Sequence, residues 1–419
     1  MKQRKICHTN QNYAIGDFAM KHHTLLFRLA AAILFGIAVG GGAAALGLAE
    51  HTAFIWLARA ATTFTSLFRS FLNFIIPLLI FSFIAVGLAD LRGTAGRMAG
   101  VTLALAYVST ILAGIAAYAA GAAVLPHIVG VLAAPDTSQT AYEAFFTIEF
   151  PPLLGVMSAL VLAFVLGIGM VALPGRSLFG AVSDLRDIVA KVLDRIVIPL
   201  IPFHVAGIFL TIAAQGRLLS VLQTFAAAFV LILVLQIAFL LLEYGAASLI
   251  CQKNQFKTLK NVITPYLTAL GTQSSAATIP VSLTCAYENG ISRDVADFCI
   301  PLCATIHLIG DTIALVTGTL ALLLADGQEA TFGAFLPFIL MLGVTMIAAP
   351  GVPGGGVMSA LGLITSMFGF DAHLQQLIIA LHLSQDSFGT AANVTGDQAL
   401  AMIVDRLEQA AARRREQGR

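Results

Sequence analysis

The sequence predicts an all-α polytopic membrane protein of eight transmembrane helices plus two re-entrant helical hairpins, and three observations predict it. The 419 residues are 58% hydrophobic and 11% charged, against about 25% charged in soluble domains. Long apolar runs recur at the length a bilayer requires, about 20 residues. Beyond residue 250 these runs become shorter and are broken by Ser, Thr, Gly and Pro. A net charge of +1 removes the electrostatic footprint that nucleic-acid binding needs. The five scattered cysteines show no paired ligand spacing; four of them fall in or beside apolar segments, where free Cys packs as a small hydrophobe.

Six runs qualify readily as spans: 25–48, 54–88, 100–125, 154–173, 188–213 and 218–250. The second is over-long, so it is expected to tilt or to bend at Pro77. The shorter, interrupted segments follow at 265–286, 296–325, 332–370 and 374–404. If two of these ten segments dip into the bilayer and return, eight crossings remain. The first run is too long and lacks the small-residue cleavage site of a signal peptide, so it reads as an uncleaved anchor behind a polar tail, 1–23, with Met20 as an alternative start.

Lys and Arg set the orientation, because short loops rich in them stay cytoplasmic. With Lys2, Arg4, Lys5 and Lys21 inside, the next inside loops hold Arg92 and Arg97, then Arg176, Arg186 and Lys191, then Lys253, Lys257 and Lys260. The tail adds Arg406, Arg413, Arg414, Arg415 and Arg419, whereas 126–150 and 326–333 contain neither residue type, and only Arg217 breaks the pattern. Both termini are therefore expected on the cytoplasmic side of a cell membrane.

The sharpest chemical signal lies in 384–404. There Asp386, Thr390, Asn393 and Asp397 recur at i, i+4, i+7 and i+11, one narrow stripe of a helix. Two carboxylates on a buried stripe with no basic residue in the segment imply a cation or an ammonium group, since ionisable side chains inside a membrane mark ion or substrate paths. The alternative is a packed interhelical hydrogen-bonding seam. Residues 268–280 (TALGTQSSAATIP) and 348–356 (AAPGVPGGG) read as hairpin tips, because irregular backbone at membrane depth must be buried in protein. Broken helices present free N–H ends to anions and free carbonyls to cations. Each hairpin is followed by a polar-centred segment, which makes an internal pseudo-repeat. In 301–318, His307 and Asp311 stand at i, i+4; site lining, proton relay, metal binding and a structural pair all remain open for them.

These motifs together resemble the dicarboxylate/amino acid:cation symporter family, the glutamate, aspartate and neutral amino acid transporters. TQSSAATIP (272–280) is similar to the family's serine-rich first hairpin tip, and PLCATIHLIGD (301–311) to its broken helix, which usually reads PLGATINMDGT. GVPGGG (351–356) is similar to the second tip, and DSFGTAANVTGD (386–397) to the final D-x-x-R-T-x-x-N-V-x-G-D helix; Arg69 and Pro77 keep the spacing of an Arg and a Pro in the family's second helix. The resemblance implies an inverted-repeat glutamate-transporter-like fold, a homotrimer and an elevator mechanism. It divides the chain into 24–250, mostly scaffold but with helices 3 and 6 in the transport domain, a transport core over 251–404, and a cytoplasmic tail over 405–419. It implies that Asp386 holds a substrate ammonium and that Asn393 holds the α-carboxylate, helped by Ser274, Ser275 and tip backbone at Val352 and Gly354. Thr390 would face the substrate side chain or the ammonium, and the positions of Asp311 and Gly389 would face the side chain. A sodium site would use Asn393 and Asp397, with backbone at Cys303 and His307. Na+ (or H+) is the expected coupling ion, with no organic cofactor and no enzymatic activity.

The departures from the family's pattern bear on the substrate. The Arg that holds an acidic side chain in the family is Gly389 here, and Gln273 stands where other members place an alternative Arg. Burying a second carboxylate without either cation costs several kcal/mol, so a neutral or small polar amino acid is expected. NMDG has become HLIG, which replaces oxygen and thioether contacts by His307, Leu308 and Ile309 and leaves fewer sodium ions, or proton coupling, as readings. Asp311 replaces a usual Thr, where an acid either attracts a cationic side chain or replaces the missing sodium ligand. A dicarboxylate or acidic substrate is a further alternative. An uncoupled channel or substrate sensor is the reading from another class. A serine hydrolase lacks any nucleophile motif around Ser274 and Ser275.

Overall fold

The computed structural model describes residues 27–91, 96–130, 142–173, 175–216, 218–347, 349 and 354–417, and among these residues the regular elements are all helical. In chain order they are α1 (Phe27–Ala45), α2 (Thr52–Leu91), α3 (Gly96–Val124), α4 (Val156–Ala172), α5 (Ser177–Val192), α6 (Ile198–Ala214), α7 (Leu218–Cys251) and α8 (Gln255–Asn261). There follow α9 (Ile263–Thr272), α10 (Ser275–Glu288), α11 (Arg293–Ile306), α12 (Ile309–Ala325), α13 (Phe332–Met346), α14 (Gly355–Phe368) and α15 (Ala372–Gln417). Six stretches are long and apolar enough to cross a membrane: Phe27–Ala45, Thr52–Gly87, Arg97–His127, Ser177–Ala214, Leu218–Cys251 and Arg293–Ala325.

Two boundaries differ from those expected, for physical reasons. The run beginning at 188 starts a helix eleven residues earlier, at Ser177, because α5 carries Asp184, Arg186, Asp187 and Lys191 on an amphipathic face that a purely apolar criterion passes over. A π turn, Leu193–Val197, joins α5 to α6, where Pro199 and Pro202 withhold backbone donors. At the other end, α15 continues past 404 to Gln417, since Ala, Glu, Gln and Arg there are strong helix formers. Asp405, 3% exposed, ties that extension to the hairpin side by accepting from Ser292 Oγ at 2.6 Å. Pro77, where a bend was expected, is carried inside an uninterrupted α2.

The outer helices present apolar residues on both sides. On α7, Val221, Ala228, Ile232 and Phe239 face the interior while Val230, Val234, Ile237 and Leu242 are exposed, as expected where lipid is the solvent. α2 packs against α4, α5 and α6. α1 sits on α6 through Gly36 and Gly40, where an added Cβ would lie 2.5 Å from Ala206 O and 2.1 Å from Leu210 O, the small-xxx-small device of close helix pairs in membranes. A second group surrounds α12, which packs on α3, α7 and α15 and is buried along nearly its whole length. α9 with α10, and α13 with α14, form two antiparallel-like pairs joined by short breaks, and α14 also touches α2 and α4.

Candidate functional site

Three chain breaks converge on the polar stripe of α15. The first is at Gln273, whose φ of 52° ends α9 in the left-handed region; Ser274 then caps α10, its hydroxyl accepting from Ala277 N at 3.3 Å. The second is at His307 and Leu308, whose backbone leaves helical values (ψ 82° and 60°) and separates α11 from α12. The third precedes α14, where Gly354 takes φ 75° as the residue before the helix, a conformation open to Gly without strain.

Between them lies a small chamber of about 20 Å³, room for roughly one water molecule. Ser275, Asp311, Asp386, Thr390 and Asn393 line it, with Gln273, Ala304, Leu308, Ala349 and Gly356. Among the described residues, no Lys or Arg reaches it. The polar groups are fixed by one another. Gly310 N donates to Asn393 Oδ1 at 2.7 Å, and Asn393 Nδ2 to Asp311 Oδ2 at 2.5 Å. Gly354 N donates to Asp386 Oδ2 at 2.9 Å, and Gln273 Nε2 to Ser387 Oγ at 2.7 Å. Thus the α9–α10 pair is tied to α15 at Ser387 and the α13–α14 pair at Asp386 of the stripe, and two carboxylates share a space screened from solvent.

One turn further along α15, Asp397 faces away from the chamber into a second buried cluster. His307 Nδ1 lies 3.1 Å from Asp397 Oδ1, and its Nε2 lies 3.0 Å from Ser109 Oγ and 3.5 Å from Glu243 Oε1. Ser109 Oγ donates to Glu243 Oε1 at 2.5 Å, and among the described residues Glu243 Oε2 has no hydrogen-bond partner. The Asp, the Glu and the imidazole are held together because Gly396 has no side chain: a Cβ there would lie 2.7 Å from Glu243 Oε2 and 3.2 Å from His307 Cε1.

The structure therefore gathers Ser275, Asp311, Asp386, Thr390 and Asn393 in one place, with Gly354 bonded to it and Ser274 at its edge, and sets Asp397, His307 and Cys303 apart from them. Cys303 is fully buried and its carbonyl accepts the His307 N–H at 2.9 Å. Gly389 is not among the residues of the chamber wall. Its backbone instead receives α12, so that a Cβ on Gly310 would fall 2.3 Å from Gly389 O, while a Cβ on Gly389 would face Gln385 Oε1 at 3.4 Å. Val352 lies outside the described residues.

A sodium ion takes oxygen donors. Asp397 and Asn393 offer such donors, although Asn393 Oδ1 already receives the Gly310 N–H. The His307 side chain does not fit as a ligand, for both ring nitrogens face protein oxygens. Sequence reasoning missed Glu243, Ser109, His382, Gln236 and Gln385. Glu243 carried a readable signal as the one ionisable residue within α7. His382 stands four residues before Asp386 on the same face.

A polytopic helical protein with a charged, water-poor centre assembled from broken helices has the make-up of a membrane transport protein. The comparison with known families agrees: residues 25–407 match the model of the sodium:dicarboxylate symporter family, and the chain belongs to that family. The chain is 32% identical over 167 residues to "Neutral amino acid transporter A" of Bos taurus, covering 40% of this chain and 31% of that protein. It is 32% identical over 157 residues to "Excitatory amino acid transporter 5" of Mus musculus, covering 37% and 28%. "Neutral amino acid transporter B(0)" of Bos taurus is 29% identical over 150 residues, covering 36% and 28%. The matched stretches thus span about a third of the length of these curated relatives. Family and fold together make the chain a multi-pass membrane protein.

Proposed function

We propose that this chain is a secondary active transporter that couples entry of an amino acid to a cation, sodium first, across the cell membrane. The observation that carries the reading is the small chamber in which Asp386, Thr390 and Asn393 meet Ser275 and the backbone of α14's first turn. Asp386 is the acid available to a substrate ammonium, and Asn393 and the N-terminus of α10 offer donors to its carboxylate. At about 20 Å³ the chamber admits an amino acid only once the tips of the two helix pairs move apart; its wall, with two aspartates and, among the described residues, no Lys or Arg, then suits a neutral or small polar amino acid. A second substrate carboxylate would be buried without a partner at a cost of several kcal/mol.

The finer organisation belongs to the same proposal. Eight crossings and two re-entrant pairs, α9–α10 and α13–α14, leave both termini cytoplasmic. α3, α7 and 251–404 move as an elevator against the remaining helices, in a homotrimer. Sodium is held by Asp397 and Asn393 with neighbouring backbone carbonyls. The family's name and the names of the relatives support this reading.

The test is uptake into proteoliposomes. A neutral amino acid such as serine or alanine accumulates when an inward sodium gradient is imposed and not when choline replaces sodium. Uptake driven by a pH gradient alone would refute sodium coupling; saturable uptake of aspartate or succinate in preference to neutral amino acids would refute the substrate class; flux that merely equilibrates would favour the channel reading.

A further inference from the structure

Beside the chamber, His382 contributes a group that the transport reading leaves unused. Its imidazole is 1% exposed, and among the described residues neither ring nitrogen has a hydrogen bond of good geometry, its near neighbour being the Asp311 carboxylate. Yet Nε2 points at the chamber wall, 3.0 Å from Asp311 Oδ1 and out of line for an N–H bond to it. Asp311, His382 and Asp386 each place one ligand atom so that all three lie within 4.8 Å of one another, and all three residues are buried.

We propose that these three residues form a site for a divalent transition-metal ion at the wall of the substrate chamber. Three features of the geometry point to an ion rather than to a simple charge pair. First, each carboxylate has one oxygen already anchored, Asp311 Oδ2 by Asn393 Nδ2 and Asp386 Oδ2 by Gly354 N. This is how outer-shell donors orient a ligating acid and leave its other oxygen for the metal. Second, three ligand atoms rather than two converge, all within 4.8 Å of one another, close to the about 4.2 Å that opposite ligands of one ion at about 2.1 Å span. Third, the approach is kept clear, since a Cβ on Gly356 would lie 2.6 Å from Asp311 Oδ1. One imidazole nitrogen with two carboxylate oxygens suits Mn²⁺, Co²⁺ or Zn²⁺ better than Mg²⁺ or Ca²⁺, which prefer oxygen alone. Because the ion and a substrate ammonium would use the same Asp386 carboxylate, a bound ion competes with the amino acid for the chamber. That competition rests on the transport reading; binding of the ion does not.

The experiment uses the full chain purified in detergent without chelator and without any amino acid, so its result is independent of whether the protein carries amino acids. Binding of MnCl₂ is followed by electron paramagnetic resonance, with MgCl₂ as competitor, and pulsed measurements read the coupling of the bound ion to an imidazole nitrogen. The proposal expects one Mn²⁺ per chain that equimolar Mg²⁺ does not displace, with nitrogen coupling. It expects His382→Gln to lose that coupling and Asp311→Asn to weaken binding by more than the about 10–100-fold that loss of an outer-shell partner costs. Bound Mn²⁺ without imidazole coupling in the unmutated protein overturns the assignment even where a variant fails to fold. So does binding that persists undiminished in both variants, or no binding of Mn²⁺ at all.

Discussion

The closest approach in the molecule's centre gives a quantitative prediction. The start of α12 lies against α15 at Gly310 and Gly389, where a Cβ added to Gly310 would be 2.3 Å from Gly389 O, 2.8 Å from Gly389 Cα and 2.9 Å from Gly389 C. All three are backbone atoms, which cannot rotate away as a side chain can. Reaching ordinary contact, about 3.5 Å, requires the helices to part by about 1 Å. Overpacking of this kind costs about 1–3 kcal/mol, and a purely backbone clash belongs at the upper end. The same parting stretches the Gly310 N bond to Asn393 Oδ1 at 2.7 Å and the Gln236 Nε2 bond to Gly310 O at 3.1 Å, so the chamber is disturbed together with the packing. Gly389→Ala is the control on the opposite side of the same contact. Its Cβ would meet Gln385 Oε1 at 3.4 Å, and within a helix Ala gains up to about 1 kcal/mol over Gly. Thermal melting in detergent, read with a thiol-reactive fluorophore on the buried cysteines, is expected to fall by about 3 °C for Gly310→Ala and to stay level or rise for Gly389→Ala. Equal melting of the two variants, or a larger loss for Gly389→Ala, would refute the geometry of this contact and with it the placement of Gly389 off the chamber wall.

The remaining predictions concern charges and caps. Asp386→Asn removes the acid facing the chamber; stabilisation by an amino acid is expected to vanish, a loss of about 1.5–3 kcal/mol for one charge-assisted bond, and stabilisation left intact would reassign the ammonium. Asp397→Asn is expected to raise the sodium concentration needed for half-maximal uptake before it changes amino acid affinity, and an unaltered sodium response would remove Asp397 from the cation site. Glu243→Gln keeps an acceptor for Ser109 while removing the charge 3.5 Å from His307; a melting loss of about 1–3 kcal/mol is expected, and none would mean the contact is incidental. Ser274→Ala removes the cap of α10 at a cost of about 1 kcal/mol, seen as faster proteolysis of the α9–α10 turn.

The helical class and most spans were legible because apolar length is a direct consequence of bilayer thickness. The α15 stripe was legible for a similar reason: Asp386, Thr390 and Asn393 recur at helical spacing, and all three line the chamber. Asp397 obeys the same period yet turns to His307 and Glu243, because which side of a broken helix a side chain meets depends on partners from α3 and α7. Period alone carries no information on those long-range neighbours. Glu243 was overlooked because an otherwise apolar 34-residue helix reads as lipid-facing unless its one acid is weighed. Gly389 was read from its place in the family's motif, and the close approach of the Gly310 backbone to it depends on a long-range neighbour that motif position does not reveal. Helix ends beyond the apolar runs, at Ser177 and Gln417, are set by propensity and amphipathic packing rather than by hydropathy.

The most direct measurement is thermal stabilisation of the purified protein against the twenty amino acids and succinate, each in sodium and in choline, since a ligand of the native state raises its stability by mass action. Stabilisation by a neutral amino acid in sodium alone, lost in Asp386→Asn, is the predicted result. Stabilisation by glutamate, aspartate or succinate, or a response indifferent to sodium, would contradict the account.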